Sequence, residues 1–319
     1  MMVMRNYYIS IGSLITGLLF ISGIGRDDIR LSKYYEFAKD STFNCIGELY
    51  YKNEFQLSCI LIDKKHILTA AHAFYHDSGS YHKDSMYEPA YKKWLYGEIP
   101  EKIVPGSADD FYVKFSGKKY KLKGFKIHDV YKNSKPYRDE YGIHPSEDYA
   151  FEVAVAELAT EVKGIEPAIL YEDKDELGKR AIMSGYGDVE RADEYNAKRS
   201  KHKRRKMAGE NMIDSFGGFK VGEEWGGLFF DFDAPNSNCC NRIGGSTPLP
   251  LEYFTSSGDC GSGLFLNKDG KWKLAGLCSS PEYFSELALY GDKYGKYYGF
   301  TCYYIRISLF KDWIIANTR

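Results

Sequence analysis

Apolar and polar positions along this chain fall into short runs set between turn signals. Such runs recur at Cys45 to Tyr51, Leu57 to Ile62, His66 to Ala70, Phe111 to Phe115, Val153 to Leu158, Ala181 to Ser184, Leu264 to Leu266, Lys273 to Cys278 and Thr301 to Ile307. Their length, and a period near two or an unbroken apolar character, predict strands and hence an all-β chain. A helix is expected only at the C-terminus, over about residues 308 to 317. There Leu309, Trp313 and Ile314 make a helical stripe behind Ser308 as cap. Residues 76 to 110 and 187 to 210 are polar and irregular and read as long surface loops, and no internal repeat is legible.

The first 25 residues have the pattern of an export leader. Arg5 precedes the apolar run Ile11 to Ile21, and small residues follow at Ser22, Gly23 and Gly25. The run is too short to cross a bilayer comfortably, although an uncleaved anchor is the alternative. The leader predicts a secreted or periplasmic protein, free of the membrane once the signal is removed, with a mature chain beginning near Arg26.

With 319 residues, 44% hydrophobic and 27% charged, the chain can bury one large core or two fused ones. A net charge of −1 gives no global reason to expect a nucleic-acid or membrane-surface partner. The 28 Tyr, 19 Phe and 31 Gly suit many short strands and tight turns. One local exception to the charge balance is Lys198 to Lys206, a solvated loop by its composition, with an anion-binding patch or a processing site as alternatives.

Seven cysteines are an odd number for an oxidising compartment, so at least one thiol should be free or paired between chains. Cys45, Cys59, Cys278 and Cys302 sit inside strand-like runs and read as small buried hydrophobes. Cys239 and Cys240 form a vicinal pair in a polar loop. No spacing suggests a metal site or an organic cofactor.

Cys260 differs from these in its surroundings, Gly258-Asp259-Cys260-Gly261-Ser262-Gly263. Glycines there let backbone N–H groups converge beside the thiol. Far upstream, His72 ends the strand-like run His66 to Ala71 and supplies a base. A nucleophile, a base and preorganised donors are what acyl transfer needs, and they meet in space without being close in sequence.

Thr69-Ala70-Ala71-His72 and Gly258 to Phe265 resemble the histidine and nucleophile motifs of the trypsin-like (chymotrypsin-fold) serine peptidases, with Cys260 in place of the serine and Gly263 in place of the usual Pro. Ser184-Gly185-Tyr186-Gly187, Gly276-Leu277-Cys278-Ser279 and Tyr304 to Ile314 follow in the same order, so the resemblance spans roughly residues 40 to 316. It implies two six-stranded antiparallel Greek-key barrels, at about residues 30 to 165 and 166 to 305, with the site between them and a protein or peptide as substrate of a monomeric enzyme. The acid falls at Glu152, with Asp148 as rival. The resemblance also implies an oxyanion hole from the N–H groups of Gly258 and Cys260, Ser279 beside the acid and substrate, and Phe254 at the base of the primary pocket. An inactive homologue serving as a binding module is the alternative. Asp259 would pair, in an activated relative, with a newly released N-terminus; no Ile-Val-Gly-Gly-like start is seen here, so either another group, such as a lysine or a backbone donor, holds Asp259, or the maturation site is not recognisable.

Overall fold

The computed structural model describes residues 23–77, 81–88, 93–100, 103–133, 137–139, 142–144, 151–194, 202–236, 240–279 and 296–319. Six strands close into a barrel in the order Lys118–Ile127, Val153–Leu158, His66–Ala70, Glu54–Leu61, Ile46–Tyr51 and Phe111–Phe115. The strand His66–Ala70 pairs on both sides, and Ile67, Leu68 and Ala70 are fully buried, which is why it reads as an unbroken apolar run. Its register sets Ala70 opposite Val153. Residues 71 and 152 therefore leave the barrel side by side, joined by a hydrogen bond from Ala71 N–H to the Glu152 carbonyl (3.2 Å).

The second half is a seven-stranded antiparallel sheet in the order Met207–Met212, Arg180–Gly185, Gly263–Lys268, Lys271–Cys278, Thr301–Arg306, Glu224–Asp231 and Ser215–Val221. The two-barrel architecture expected from the sequence is thus present, with seven strands in an open second sheet where six in a closed barrel are expected. Gly263 pairs with Leu277, which brings the turn before Gly263 against the end of the strand carrying Cys278.

Two hydrophobic cores result, one inside the barrel around Leu49, Leu68, Phe111 and Val155, the other around Met183, Phe230, Leu264 and Tyr304. Ser58, on a barrel strand, stitches the halves together: its N–H donates to the carbonyls of Gly258 and Cys260 (3.0 Å each), and its hydroxyl donates to Gly258 (3.0 Å).

Several expectations need correction. Gly23–Gly25, assigned to the end of the leader, form a strand between Val189–Arg191 and Tyr253–Phe254. Small residues mark a cleavage site and a close-packed strand equally well; here a side chain on Gly25 would collide with the Tyr34 ring. The helix Leu31–Phe37, within the span assigned to the first barrel, sends Tyr34 into the second core. Tyr81–Glu88 and Lys93–Pro100 pair as a hairpin inside the expected loop 76–110. The C-terminal helix covers Lys311–Ala316, and Ser308 does not cap it; the Ser308 hydroxyl donates to Glu176 (2.7 Å).

That glutamate forms the most buried ion pair of the second half. Arg306 and Glu176 have side chains 1% and 0% exposed, with Nη2 to Oε2 at 2.8 Å and Arg306 Nη1 donating to the Trp225 carbonyl (3.0 Å). Removing one partner leaves an uncompensated buried charge, whereas removing both charges does not. Arg306→Met is expected to cost about 3–5 kcal/mol in urea unfolding, and adding Glu176→Gln should recover a large part of that loss.

Candidate active site

His72 lies in a single 3-10 turn, Ala71–Phe74, that follows directly from the barrel strand. Its Nδ1 donates to Glu152 Oε1, and the Ser279 hydroxyl donates to Glu152 Oε2. Tyr131, on the short helix Asp129–Asn133, adds a third donor to Oε1 at 3.2 Å. Glu152 is 2% exposed. Burial alone would raise its pKa, but the charge of His72 and the hydrogen bonds from His72, Ser279 and Tyr131 outweigh burial and lower it. Asp148, the rival acid, lies outside the described residues.

With Nδ1 committed to Glu152, the remaining ring nitrogen is left for the Cys260 thiol, and the ionisation of each group acts on the other. Burial pushes the imidazole down, yet the Glu152 charge and the hydrogen bonds to Cys260 and Glu152 carry its pKa well above the ordinary value. Cys260 moves the opposite way. A hydrogen bond from the Cys278 thiol is the largest effect on it; burial opposes, the His72 hydrogen bond and charge add to the lowering, and the Cys260 pKa falls below the usual thiol range. Cys278 itself is fully buried and its own pKa is raised, first by burial and then by donating to Cys260. The directions of the shifts favour a thiolate beside an imidazolium over a neutral pair, with Cys278 kept as the thiol.

The turn that presents Cys260 is fixed on all sides. The Ser257 carbonyl accepts from Asp188 N–H (3.1 Å), and the Asp259 carbonyl accepts from Ser262 N–H (2.8 Å). In planar trans peptides the N–H points opposite to the C=O, so the N–H groups of Gly258 and Cys260 turn away from these partners, and neither donates to an acceptor among the described residues. Gly261 has φ of +77°, and a Cβ there would strike the Ser58 carbonyl. That position admits only glycine.

Beneath the turn, the Asp259 carboxylate is wholly buried and takes four donors: Gly187 N–H (2.8 Å), the Tyr253 hydroxyl (2.9 Å), and the N–H and hydroxyl of Ser256 (3.0 and 2.9 Å). Burial still raises its pKa to about 6. Phe254 is fully buried against the rings of Phe232 and Phe300. Residues 280–295, which follow Ser279, lie outside the described residues.

Sequence reasoning missed Tyr131 and the part played by Cys278. Tyr131 sits in a polar stretch with no periodic signal. Cys278 has the context of an ordinary strand residue, and only the Gly263 to Leu277 register puts its thiol behind Cys260. Cys45, Cys59, Cys260, Cys278 and Cys302 are free thiols, while Cys239 lies outside the described residues. Among the described residues, no group of three or more His, Cys, Asp or Glu is placed to hold a metal, and no helix is long and apolar enough to cross a membrane.

The chain is similar in structure to neuropsin, a serine protease expressed in the limbic system of mouse brain. The TM-score is 0.50 at 17% identity, covering 92% of this chain and 99% of that chain. At this identity the likeness establishes a trypsin-like two-barrel fold. No family model matches the chain, and no curated protein matches it.

The coupled shifts give a direct expectation. Alkylation of Cys260 by iodoacetamide, followed by site-resolved mass spectrometry from pH 5 to 9, should persist below the ordinary thiol range near pH 8.5. His72→Ala removes both a hydrogen bond and a positive charge, so the midpoint should move up towards that range. Cys278→Val removes only the donor and should move it part of the way. A wild-type midpoint already near pH 8.5, unaffected by either change, would contradict the thiolate pair.

Proposed function

We propose that this protein is an exported endopeptidase that hydrolyses peptide bonds through a thioester acyl-enzyme, with Cys260 as nucleophile, His72 as acid and base, and Glu152 as the orienting acid. The observation that carries this is the buried Glu152 carboxylate accepting from Nδ1 of His72, which leaves the other ring nitrogen for Cys260 in its fixed glycine turn, at the junction of the barrel and the second sheet. The fold supports it as a setting in which a polypeptide can lie across such a junction.

The chemistry would run as follows from these groups. The Cys260 thiolate attacks the carbonyl carbon of the scissile amide, and the carbonyl π electrons move to oxygen. The N–H groups of Gly258 and Cys260 donate to that oxyanion, the role for which preorganised, unused donors are suited. Collapse of the intermediate breaks the C–N bond, and the His72 imidazolium gives its proton to the departing amine. His72, now neutral, takes a proton from water as the water oxygen attacks the thioester; the Cys260 thiolate leaves and the imidazolium is restored. Throughout, Glu152 accepts from Nδ1, which keeps the other nitrogen turned to the sulfur and stabilises the imidazolium. Ser279 stands at the end of its strand beside Glu152 and would meet the acyl half of the substrate. Phe254, fully buried against Phe232 and Phe300, would lie beneath the pocket for the residue before the scissile bond.

Digestion of a mixed peptide library by the purified protein, with new termini read by mass spectrometry, tests the assignment. Cleavage should fall by roughly 10³-fold or more in Cys260→Ala and in His72→Ala. Glu152→Gln, which keeps the shape and loses the charge, should fall less and shift the pH profile. Cleavage that survives in Cys260→Ala would place the nucleophile elsewhere.

A further inference from the structure

Beside the nucleophile turn the structure carries an assembly that the peptidase assignment does not use. Gly258 lies against Phe55 so closely that a Cβ on it would come within 2.8 Å of the ring. The Arg204 guanidinium stacks over the other part of that ring, 4.0 Å from its centroid. Arg204 also donates twice to Asp188 Oδ1, from Nε (3.1 Å) and Nη2 (2.6 Å). Asp188 is the residue whose N–H holds the Ser257 carbonyl, so this cation is mechanically part of the turn that presents Cys260.

From Phe55 the surface opens into two adjoining grooves of about 560 and 610 Å³ that share Lys203, Arg204 and Arg205. The rings of Tyr50 and Tyr186 line one and Tyr35 the other, with Arg205 stacked on Tyr35 at 4.6 Å. Among the described residues that line the grooves the one acid is Glu48, and it accepts from the Tyr50 hydroxyl (2.7 Å). Lys203 and Arg205 have no carboxylate partner among the described residues. Cations laid over aromatic rings are held in place with less loss of side-chain freedom than free lysines, and they leave their outer donors unused.

On the peptidase assignment, the acyl half of a substrate held at Cys260 would pass Ser279 and Glu152, and the leaving half would pass Gly258 and Phe55 towards the cationic grooves. We infer that the leaving half of the polypeptide substrate lies over Phe55 and Arg204, and that acidic side chains in the first few residues after the scissile bond are selected by Arg204, Lys203 and Arg205. The occupant is fixed by charge complementarity: of the cations Lys203 to Lys206, Arg204 is paired with Asp188 and Lys206 donates to the Phe43 carbonyl (2.9 Å), which leaves Lys203, Arg205 and the outer face of Arg204 for an acidic chain. The inference rests on the peptidase assignment for its direction along the substrate, but the affinity of the groove for acidic chain does not depend on catalysis.

Two measurements separate those questions. In the first, fluorescence anisotropy compares full-length Cys260→Ala protein binding to matched peptides whose second half is acidic or neutral. The acidic peptide should bind about three- to tenfold more tightly at low salt, with the difference shrinking as salt rises. Arg204→Gln should reduce that ratio, and so should Lys203→Gln with Arg205→Gln, which leaves the Arg204 to Asp188 pair in place. Equal binding of the two peptides, or a ratio indifferent to both variants, overturns the inference. So does tight binding of heparin with no preference among peptides, which would make the surface a polysaccharide site. In the second, cleavage mapping with the wild-type protein should enrich Asp and Glu after the cut bond. Acidic enrichment before the bond instead would overturn the assigned direction. Absence of all cleavage alongside a clear binding preference would sink the peptidase assignment while leaving the groove as a site for acidic polypeptide.

Discussion

The buried carboxylate of Glu152 is the constraint around which the rest of the site is arranged. An ionised carboxylate removed from water costs several kcal/mol unless it is paired and hydrogen-bonded. Here the donors come from three separate places: His72 from the turn after a barrel strand, Tyr131 from a short helix, and Ser279 from the end of a strand in the second sheet. Satisfying one charge therefore requires barrel, helix and sheet to be docked in a single relative position. The same contact selects the His72 tautomer, and through it the ionisation of Cys260. Docking and reactivity are set by one group.

The opposite wall is held by backbone. Ser58 reaches across from the barrel to the carbonyls of Gly258 and Cys260, Asp188 and Ser262 fix the Ser257–Gly258 and Asp259–Cys260 peptides, and four donors hold the Asp259 carboxylate beneath. In the fold's activated relatives this aspartate is expected to pair with a released N-terminus. Here neutral donors, two hydroxyls and two N–H groups, occupy it, and its raised pKa follows from having no cation to offset burial. An immobile turn is the condition for oxyanion donors that need no reorganisation during reaction.

Much of this was legible because burial leaves a strong trace. His66–Ala70, Phe111–Phe115 and Val153–Leu158 have the bounds read from the sequence, since their inward faces are almost wholly apolar. Met207–Met212 escaped, because Glu210 and Asn211 are buried there and mask the pattern: Glu210 pairs with Arg180, and Asn211 donates to the Asp231 carbonyl. Lys118–Ile127 escaped for the opposite reason, as its lysines fill the outward positions of a strand whose inward ones are Tyr120, Leu122 and Ile127. His72, Glu152 and Cys260 could be picked out by residue type and setting. Tyr131 and Cys278 could not, because what matters about each is a neighbour brought by topology.

A thiolate, an imidazolium and a carboxylate in one cluster carry a net negative charge, and a buried net charge must be met by dipoles if no second cation is present. The structure meets it at both ends. Tyr131 and Ser279 donate to the carboxylate, Cys278 donates to the sulfur, and the N–H groups of Gly258 and Cys260 stand beside it. A cation in contact with Cys260 besides His72 would stabilise the thiolate further, but a more stable thiolate is a weaker nucleophile. Neutral donors lower the pKa without adding a fixed positive charge at the sulfur. The cations of this region, Arg204 foremost, stand one aromatic ring away, where Phe55 separates them from the reacting atoms and leaves their charge to act on the chain that passes over it.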